Sequence, residues 1–404
     1  MPTLFLPCAG GTEDLLAEEV KRLTGSNTEA VRGGVYVPGD AHTVLLLNLE
    51  CRLAQRVLWP VAWGPYRDEN DLYDLGRRVL WQEWITPQHT LRVDANAWRS
   101  PLKSLNFAAL RVKDAVCDQL RELTGERPSV DTHRPDLSLV LYCGPEEASL
   151  YVDTSGEALF KRGWRDERGG GLKGEAPLKE TLAAAMLAAA GWLGRPEDGP
   201  LLDPCCGAGT IAIEAAQMAC GIAPGGQRHF AFERLLKFSH MEQAWLDLKA
   251  ASEARVHAPN VPIFAGDVAF RMTDFAQRNA ERAGVGQAIQ FKTMDALQRP
   301  APTPTGTMMF NPPYGERIAA KGQGSQAARQ GFEGGGSSNE FFNGLSSHWK
   351  RHYAGWSAWL LSPDMKLPTL MRLKESRRIP MWNGPIECRL FRFDMVAGSN
   401  KDKP

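Results

Sequence analysis

The sequence predicts an α/β protein: a Rossmann-like sheet of alternating strands and helices over residues 176–396, preceded by an α+β region over roughly the first 155. Three observations carry this. An apolar strand, a glycine turn and a small-residue helix run without a break from Leu201 to Ala219, LLDPCCGAGT and onward, the arrangement at which an α/β sheet binds a nucleotide. Four polar residues, Asp203, Asp267, Asp295 and Asn311, each stand just past a strand pattern, which places them along one edge of a parallel sheet. Ahead of these, short strands and helices alternate around a Gly33-Gly34 pair, too far from the glycine turn to belong to the same unit.

Residues 3 to about 62 read as strand LFLPCA, a helix from Glu13 to Leu23, a hairpin through AVRGGVYV, a helix from His42 to Leu53 and a strand from Arg56 to Val61. Gly33-Gly34 marks the hairpin, because its turn needs positive φ. Asp40 stands where a helix cap belongs. The alternation repeats to about residue 155: a helix from Tyr73 to Val79, a strand from Thr90 to Ala95, a helix from Asn106 to Leu123, then strands Leu137 to Cys143 and Ala148 to Thr154 around a turn at Gly144 to Glu147. Pro177 to Ala190 is a helix with Pro near its start and Gly191 past its end, as helix termini prefer. Residues 220–258 interrupt the alternation. It resumes with a strand ending at Asp267, a helix from Arg271 to Ala283, a strand from Ala288 to Thr293 and the strand before Asn311. The expected organisation is an N-terminal unit over 1–64, a second over 65–155, a basic Gly-rich linker over 156–175 and the large domain over 176–396.

A chain of 404 residues is too long for one ordinary core. Lys plus Arg number 47 and Asp plus Glu 47, so the whole chain shows no bias toward a polyanion and any nucleic-acid surface must be local. No apolar run reaches the roughly eighteen residues of a membrane span, and the first residues lack the regions of a signal peptide, so a cytoplasmic monomer is expected. The eight Cys are scattered with no Cys-x-x-Cys pair, which points away from a disulfide framework or a zinc site. The adjacent Cys205 and Cys206 read as small packing residues.

The chemistry lies in two motifs. The turn of Asp203, Pro204, Cys205, Gly207, Gly209 and Thr210 departs from a dinucleotide fingerprint, because an acid at the strand end repels a pyrophosphate but pairs with an ammonium. S-adenosylmethionine carries one. A hundred residues on, an apolar strand delivers Asn311-Pro312-Pro313-Tyr314. The Asn311 amide oxygen and the Pro312 carbonyl can accept both hydrogens of an exocyclic amine, Tyr314 can stack on a base, and the prolines stiffen the arrangement. Together they imply methyl transfer from S-adenosylmethionine to an amino group, leaving S-adenosylhomocysteine.

Three basic clusters could touch RNA: Trp98, Arg99, Ser100 and Lys103; Arg127, His133 and Arg134; and Lys161 to Gly174, which includes Arg162 and Arg165. The first two equally suit solvated loops, and the third a connector without contacts. Gly322 to Ser338 collects Gly and Ser, and reads either as a lid or as a segment without function.

With these residues assembled, the chain resembles the bacterial large-subunit ribosomal RNA guanine-N2-methyltransferases that carry a THUMP domain. APLKETLAAA at 176–185, LLDPCCGAGTIAIEAA at 201–216, GDVAFRMTDFAQRNAERAG at 266–284, MDAL at 294–297 and NPPYGERI at 311–318 match that family's successive motifs. The resemblance implies a ferredoxin-like unit, a THUMP RNA-binding domain and a class I methyltransferase domain acting on 23S ribosomal RNA. Transfer RNA, or an RNA-binding or chaperone role without catalysis, stands as the alternative. It assigns Asp203, Gly207 and Gly209 to the methionine end of the cofactor, Asp267 with Val268 to the ribose, Asp295 and Ala296 to the adenine, and Pro177, Leu178 and Thr181 to the pocket lining. Asn311, Pro312, Pro313 and Tyr314 would meet the target base. Ala269 stands where such enzymes often have a second acid, and Glu233 rivals Asp267 for the ribose. No metal is implied.

Overall fold

The computed structural model describes residues 1–165, 178–312 and 338–396, and they divide into two units. The first comprises Met1–Cys8, Leu16–Leu159 and Gly225–Ser252; the second comprises Ala9–Leu15, Phe160–Pro224 and Glu253–Pro404.

In the first unit, alternation of buried Leu4 and Leu6 with less buried neighbours makes Thr3–Pro7 a strand, β1. It is followed by α1 (Glu13–Thr24), β2 (Glu29–Val31), β3 (Gly34–Pro38), α2 (Ala41–Glu50) and β4 (Leu58–Pro65), a ferredoxin-like β-α-β-β-α-β run. Then come α3 (Glu69–Arg77), β5 (Thr90–Ala97), α4 (Leu105–Thr124), β6 (Ser129–Val130), β7 (Leu137–Cys143) and β8 (Glu147–Asp153). The strands form one eight-stranded sheet, β2-β3-β1-β4-β8-β7-β5-β6, in which β4 pairs antiparallel with β8 and so joins the two halves.

The local signals act as read. Gly33 turns the β2–β3 hairpin at φ 87°, and Asp40 caps α2 by accepting from the Thr43 N–H at 2.9 Å. Of the boundaries that differ from expectation, two have a side-chain cause. Helix α2 stops at Glu50 rather than Leu53, because the buried Glu19 carboxylate accepts from the backbone N–H groups of Arg52 and Leu53, both at 3.0 Å, and turns the chain away. Helix α3 starts at Glu69 rather than Tyr73, because Asp68 accepts from the Asn70 and Asp71 N–H groups. The stretch that breaks the alternation at 220–258 also finds its reason. Its Gly225–Ser252 part packs in the first unit, where Phe238 meets Trp59 edge-on at 5.7 Å and Phe232 meets Trp245 at 5.1 Å. Aromatic pairs of this kind contribute about 0.5–1.5 kcal/mol beyond their buried area.

Helix α7 (Glu242–Glu253) belongs to the first unit in all but its last residue, and the elements of the second unit are α5 (Glu180–Ala189), β9 (Leu201–Asp203), α6 (Thr210–Ala219), β10 (Ile263–Asp267), α8 (Phe270–Arg282), β11 (Ile289–Thr293), β12 (Gly306–Phe310), α9 (Ser338–His352), β13 (Trp356–Ser362), α10 (Leu367–Met371), β14 (Arg377–Asn383) and β15 (Ile386–Asp394). Among the described residues the sheet has seven strands in the order β11-β10-β9-β12-β13-β15-β14. The first five strands in that order are parallel, and β15 runs antiparallel between β13 and β14. Apolar clusters cover the sheet on both faces, as a parallel sheet requires. The Ala-rich α5 and α6 are buried almost throughout, since small side chains let them pack closely. The chain builds outward from β9 to β11 and then returns to place β12 on the other side of β9. That reversal between β9 and β12 is where ligands bind in such sheets, outside the carboxyl ends of the strands.

Candidate active site

Strand β9 is wholly apolar until Asp203, so the acid is carried to the carboxyl end of the sheet and buried there at 1% exposure. Its Oδ1 is buried and has no hydrogen-bond partner among the described residues. Burial pushes the carboxyl well above its ordinary range, with the neighbouring Asp267 adding to the shift and the Cys205 N–H and the Arg299 guanidinium opposing it. An acceptor left open in so dry a place is costly, by about 1–3 kcal/mol for a polar group and more for a charge. Burial likewise raises the Cys205 and Cys206 thiols, with Asp203 contributing, so both are held neutral, in keeping with their reading as packing residues.

The two turn glycines do different work. Gly209 caps α6 at φ 85°, and a Cβ there would meet the Ala276 Cβ at 3.1 Å and the Ile213 Cδ1 at 3.3 Å; it admits α8. Gly207 has φ 50°, and a Cβ there would meet nothing within 4 Å among the described residues. The Gly207 N–H donates to the Asp267 Oδ2 at 3.1 Å, and the Ala269 N–H donates to Oδ1 at 3.1 Å. The structure therefore joins the ends of β9 and β10 through Asp267, whose carboxyl is raised by burial and lowered by these N–H groups. Two donors on two oxygens leave lone pairs for a ligand. Val268 is exposed, and Asp295, just past β11, accepts from the Leu297 N–H at 2.9 Å with Ala296 buried beside it. Asn311 and the buried Pro312 follow β12 on the other side of the reversal. Leu178 and Thr181 are buried at the start of α5. Pro177, Pro313, Tyr314 and Gly322 to Ser337 lie outside the described residues, and Ser338 opens α9.

Glu233 belongs to the first unit, where its Oε1 accepts from the Phe230 N–H at 2.6 Å and closes a turn of its own.

Two residues escaped the sequence reading. Asn279 of α8 donates through Nδ2 to the Ala208 carbonyl at 2.9 Å, tying the glycine turn to the helix behind it. Arg299 is buried and donates to the Ala265 carbonyl at 3.0 Å; its own carbonyl accepts from the Tyr353 hydroxyl at 3.0 Å and lies 2.6 Å from the His348 Nε2. A Cβ on Gly266 would come within 2.3 Å of the Arg299 Nη1 and 2.6 Å of the Lys292 carbonyl oxygen, so the neighbouring strand's backbone together with that guanidinium keeps the position ahead of Asp267 to glycine. Arg299 has no motif around it, and Asn279, although it stands inside the 266–284 motif, is singled out only by its contact with the glycine turn.

The basic clusters separate. Arg99, Lys103, Arg127 and Arg134 are exposed on the first unit. Arg162 and Arg165 correct the expectation of an RNA-facing linker. Arg162 is 3% exposed and pairs with Glu214 of α6 at 3.0 and 3.3 Å. Arg165 bonds the Glu180 carboxylate and the Thr210 hydroxyl, the latter at 2.7 Å. Arg162 is thus an internal packing charge of the second unit, and the partly exposed Arg165 is held by the buried Glu180, since a buried acid must be paired.

A shallow cleft of 450 Å³ around Pro302, Thr303 and Arg351 lies at the amino ends of β12 and β13, the opposite edge from Asp203 and Asn311. Among the described residues no group of His, Cys, Asp and Glu is placed to hold a metal ion, and no helix is long and apolar enough to cross a membrane.

A parallel sheet that reverses between its first and fourth strands, ends in an antiparallel pair and presents acids on its carboxyl edge is a class I methyltransferase fold. The chain belongs to the family of RMKL-like methyltransferase domains, which matches residues 162–392; a THUMP domain matches 66–153 and an RlmL ferredoxin-like domain 3–58. It is similar to the ribosomal RNA large subunit methyltransferase K/L of Psychromonas ingrahamii, 32% identical over 96% of this chain and 50% of that protein, and to that of Shewanella loihica, 32% identical over 99% and 54%. The chain thus spans about half the length of the curated relatives it matches. Among solved structures, a putative methyltransferase complexed with SAH has a TM-score of 0.82 at 25% identity, covering 98% of this chain and 99% of its own. TrmN from Thermus thermophilus shares the fold, with a TM-score of 0.66 at 22% identity over 98% of this chain and 100% of its own.

Proposed function

We propose that this chain transfers a methyl group from S-adenosylmethionine to the exocyclic N2 amine of a guanine in RNA, and that the RNA is 23S ribosomal RNA. One observation carries the cofactor half: the Asp203 Oδ1, buried and without a partner among the described residues, at the start of a turn in which a Cβ on Gly207 would meet none of them within 4 Å. A carboxylate oxygen in that position suits the ammonium of the cofactor's methionine end, and the open turn suits a ligand against the backbone. The relatives' printed activity on large-subunit ribosomal RNA supports the substrate half.

Within this reading Asp203 and the Gly207 to Gly209 turn hold the methionine end, with Pro204, Cys205 and Thr210 shaping it. The free lone pairs of Asp267 take the ribose hydroxyls, Asp295 and Ala296 border the adenine, and Pro177, Leu178 and Thr181 line the pocket. When bound, the cofactor supplies a methyl group already activated on a sulfonium. The difficulty is the guanine amine, whose lone pair is delocalised into the ring. Acceptance of its hydrogens by the Asn311 amide oxygen and the Pro312 carbonyl favours a pyramidal nitrogen as positive charge develops. Pro313 stiffens that grip and Tyr314 offers a stacking surface. Orientation of the amine supplies much of the remainder, and a base within a helix must first be unstacked. The amine proton can leave after transfer, so no strong base is needed.

Replacing the target guanosine by inosine, which lacks only the amine, tests the target atom. RNA binding is expected to persist while methyl transfer disappears. Transfer to inosine-substituted RNA at the normal rate would show that N2 is not the acceptor.

A further inference from the structure

The sheet of the first unit is covered on one face and open at one end of the other. Leu139, Leu141, Leu150 and Val152 alternate onto the covered face and are fully buried, with the apolar side of α4 packed against β5 there. Period two turns the intervening residues outward. In register, Trp63 of β4 faces Ser149 of β8, Ser149 faces Tyr142 of β7, and Tyr142 lies beside Asn96 of β5. The row Trp63, Ser149, Tyr142, Asn96 thus crosses four adjacent strands. Trp63 is 69% exposed and Tyr142 44%.

Two residues past Asn96, Trp98 extends the ladder by donating its N–H to the Cys143 carbonyl at 3.0 Å, and it is 46% exposed. The Arg99 guanidinium lies 4.7 Å above its ring. Arg99 holds this position with φ 53°, a conformation that costs a non-glycine residue about 1–2 kcal/mol. It makes no ion pair among the described residues, whereas Arg92, lower on the same strand, is paired with Asp94 at 2.9 Å.

One exposed aromatic needs no explanation. Three on one sheet face, on strands about 4.8 Å apart, with an amide and a hydroxyl between them and an unpaired guanidinium at the end, combine stacking surfaces, base-edge hydrogen bonding and a phosphate contact. A patch built for an apolar protein partner would place aliphatic residues where Ser149 and Asn96 stand. We propose that this row binds unpaired nucleotides of the RNA substrate: bases stack on Trp63, Tyr142 and Trp98, Asn96 and Ser149 meet their edges, and Arg99 takes a phosphate. A duplex keeps its base faces inside and cannot use such a surface. The inference rests on the reading that the substrate is RNA.

The test titrates the full chain with a labelled single-stranded oligoribonucleotide about ten nucleotides long, a length within the usual single-strand site, and with a duplex of the same length. The wild type is expected to prefer the single strand. Trp63→Ala and Tyr142→Ala should each weaken single-strand binding roughly tenfold, the scale of one lost base–aromatic stack. Their salt dependence should stay as it was, and melting temperature and S-adenosylmethionine affinity should not change. Arg99→Gln should instead lower the salt slope by about one phosphate, and Trp63→Phe should restore most of the affinity. Wild-type single-strand affinity in the Trp63→Ala, Tyr142→Ala double variant overturns the proposal, as does self-association that this variant abolishes while RNA binding survives. Methylation of long RNA separates the two readings: a wild type that methylates no RNA removes the RNA assignment and this row with it, whereas normal RNA methylation by a double variant with unchanged binding removes the row alone.

Discussion

Two buried acids of the second unit, eleven positions apart in sequence, meet opposite fates. Glu214, inside α6, is closed off by a two-pronged contact with Arg162 and has no access to solvent. Asp203, at the strand end before α6, is as deeply buried but keeps one oxygen without a partner among the described residues. The first acid is part of how the unit is held together. The second costs free energy until something cationic arrives, which is why buried polar groups left open mark sites rather than scaffolds.

The largest expected effect breaks the closed pair. Glu214→Ala strands the Arg162 guanidinium in the core and should lower stability by about 3–5 kcal/mol, read from denaturant unfolding, while replacement of both residues by apolar ones of similar volume should recover most of it. If Glu214→Ala unfolds like wild type, the pair is not structural. Next is Asn311→Ala, which should keep cofactor affinity in calorimetry and reduce turnover by roughly a hundredfold or more, the scale of one lost transition-state hydrogen bond. Turnover equal to wild type would remove the tetrapeptide from the chemistry.

The glycines sharpen the contrast between scaffold and site. Gly209→Val drives a side chain against Ala276 and should fail mainly in stability, whereas Gly207→Val meets no atom of the described residues at Cβ and should keep most of its stability, losing about 1–2 kcal/mol to its positive φ. Its loss should fall instead on S-adenosylmethionine binding. Equal melting and equal cofactor affinity in Gly207→Val would show that the open space is not the ligand's.

The smallest effect is a pH dependence. Because the Asp203 pKa is raised in the folded chain, ionisation is easier in the unfolded state, and stability of the cofactor-free protein falls as pH rises from about 4, the unfolded value, through the raised folded one. Asp203→Asn should flatten that fall and be slightly more stable at neutral pH. A cationic ligand favours the ionised form, so binding should release a proton and weaken as pH drops; calorimetry in buffers of different ionisation enthalpy reads this directly. No proton release in the wild type would separate Asp203 from the ammonium.

Sequence by itself determined the site's outline. An acid at a strand end, two glycines before a helix and Asn-Pro-Pro-Tyr after a later strand are local patterns, and a parallel sheet carries strand ends to one edge whatever the rest of the chain does. The same holds for the β2–β3 hairpin and the Asp40 cap, where a glycine or a carboxylate acts on atoms within four residues. What the tertiary structure decided is everything that depends on a partner distant in the chain. Arg162 and Arg165 look like a basic linker in sequence and become internal pairs only because α5 and α6 bring Glu214 and Glu180 to them. Gly207 and Gly209 are indistinguishable as letters, and differ because α8 packs against one and none of the described residues packs against the other. The row of Trp63, Ser149, Tyr142 and Asn96 is spread over eighty-seven positions of sequence and exists only once β4, β8, β7 and β5 pair in register. Short-range hydrogen bonds and backbone preference can be read from neighbours; burial, charge pairing and shared faces are set by the fold as a whole.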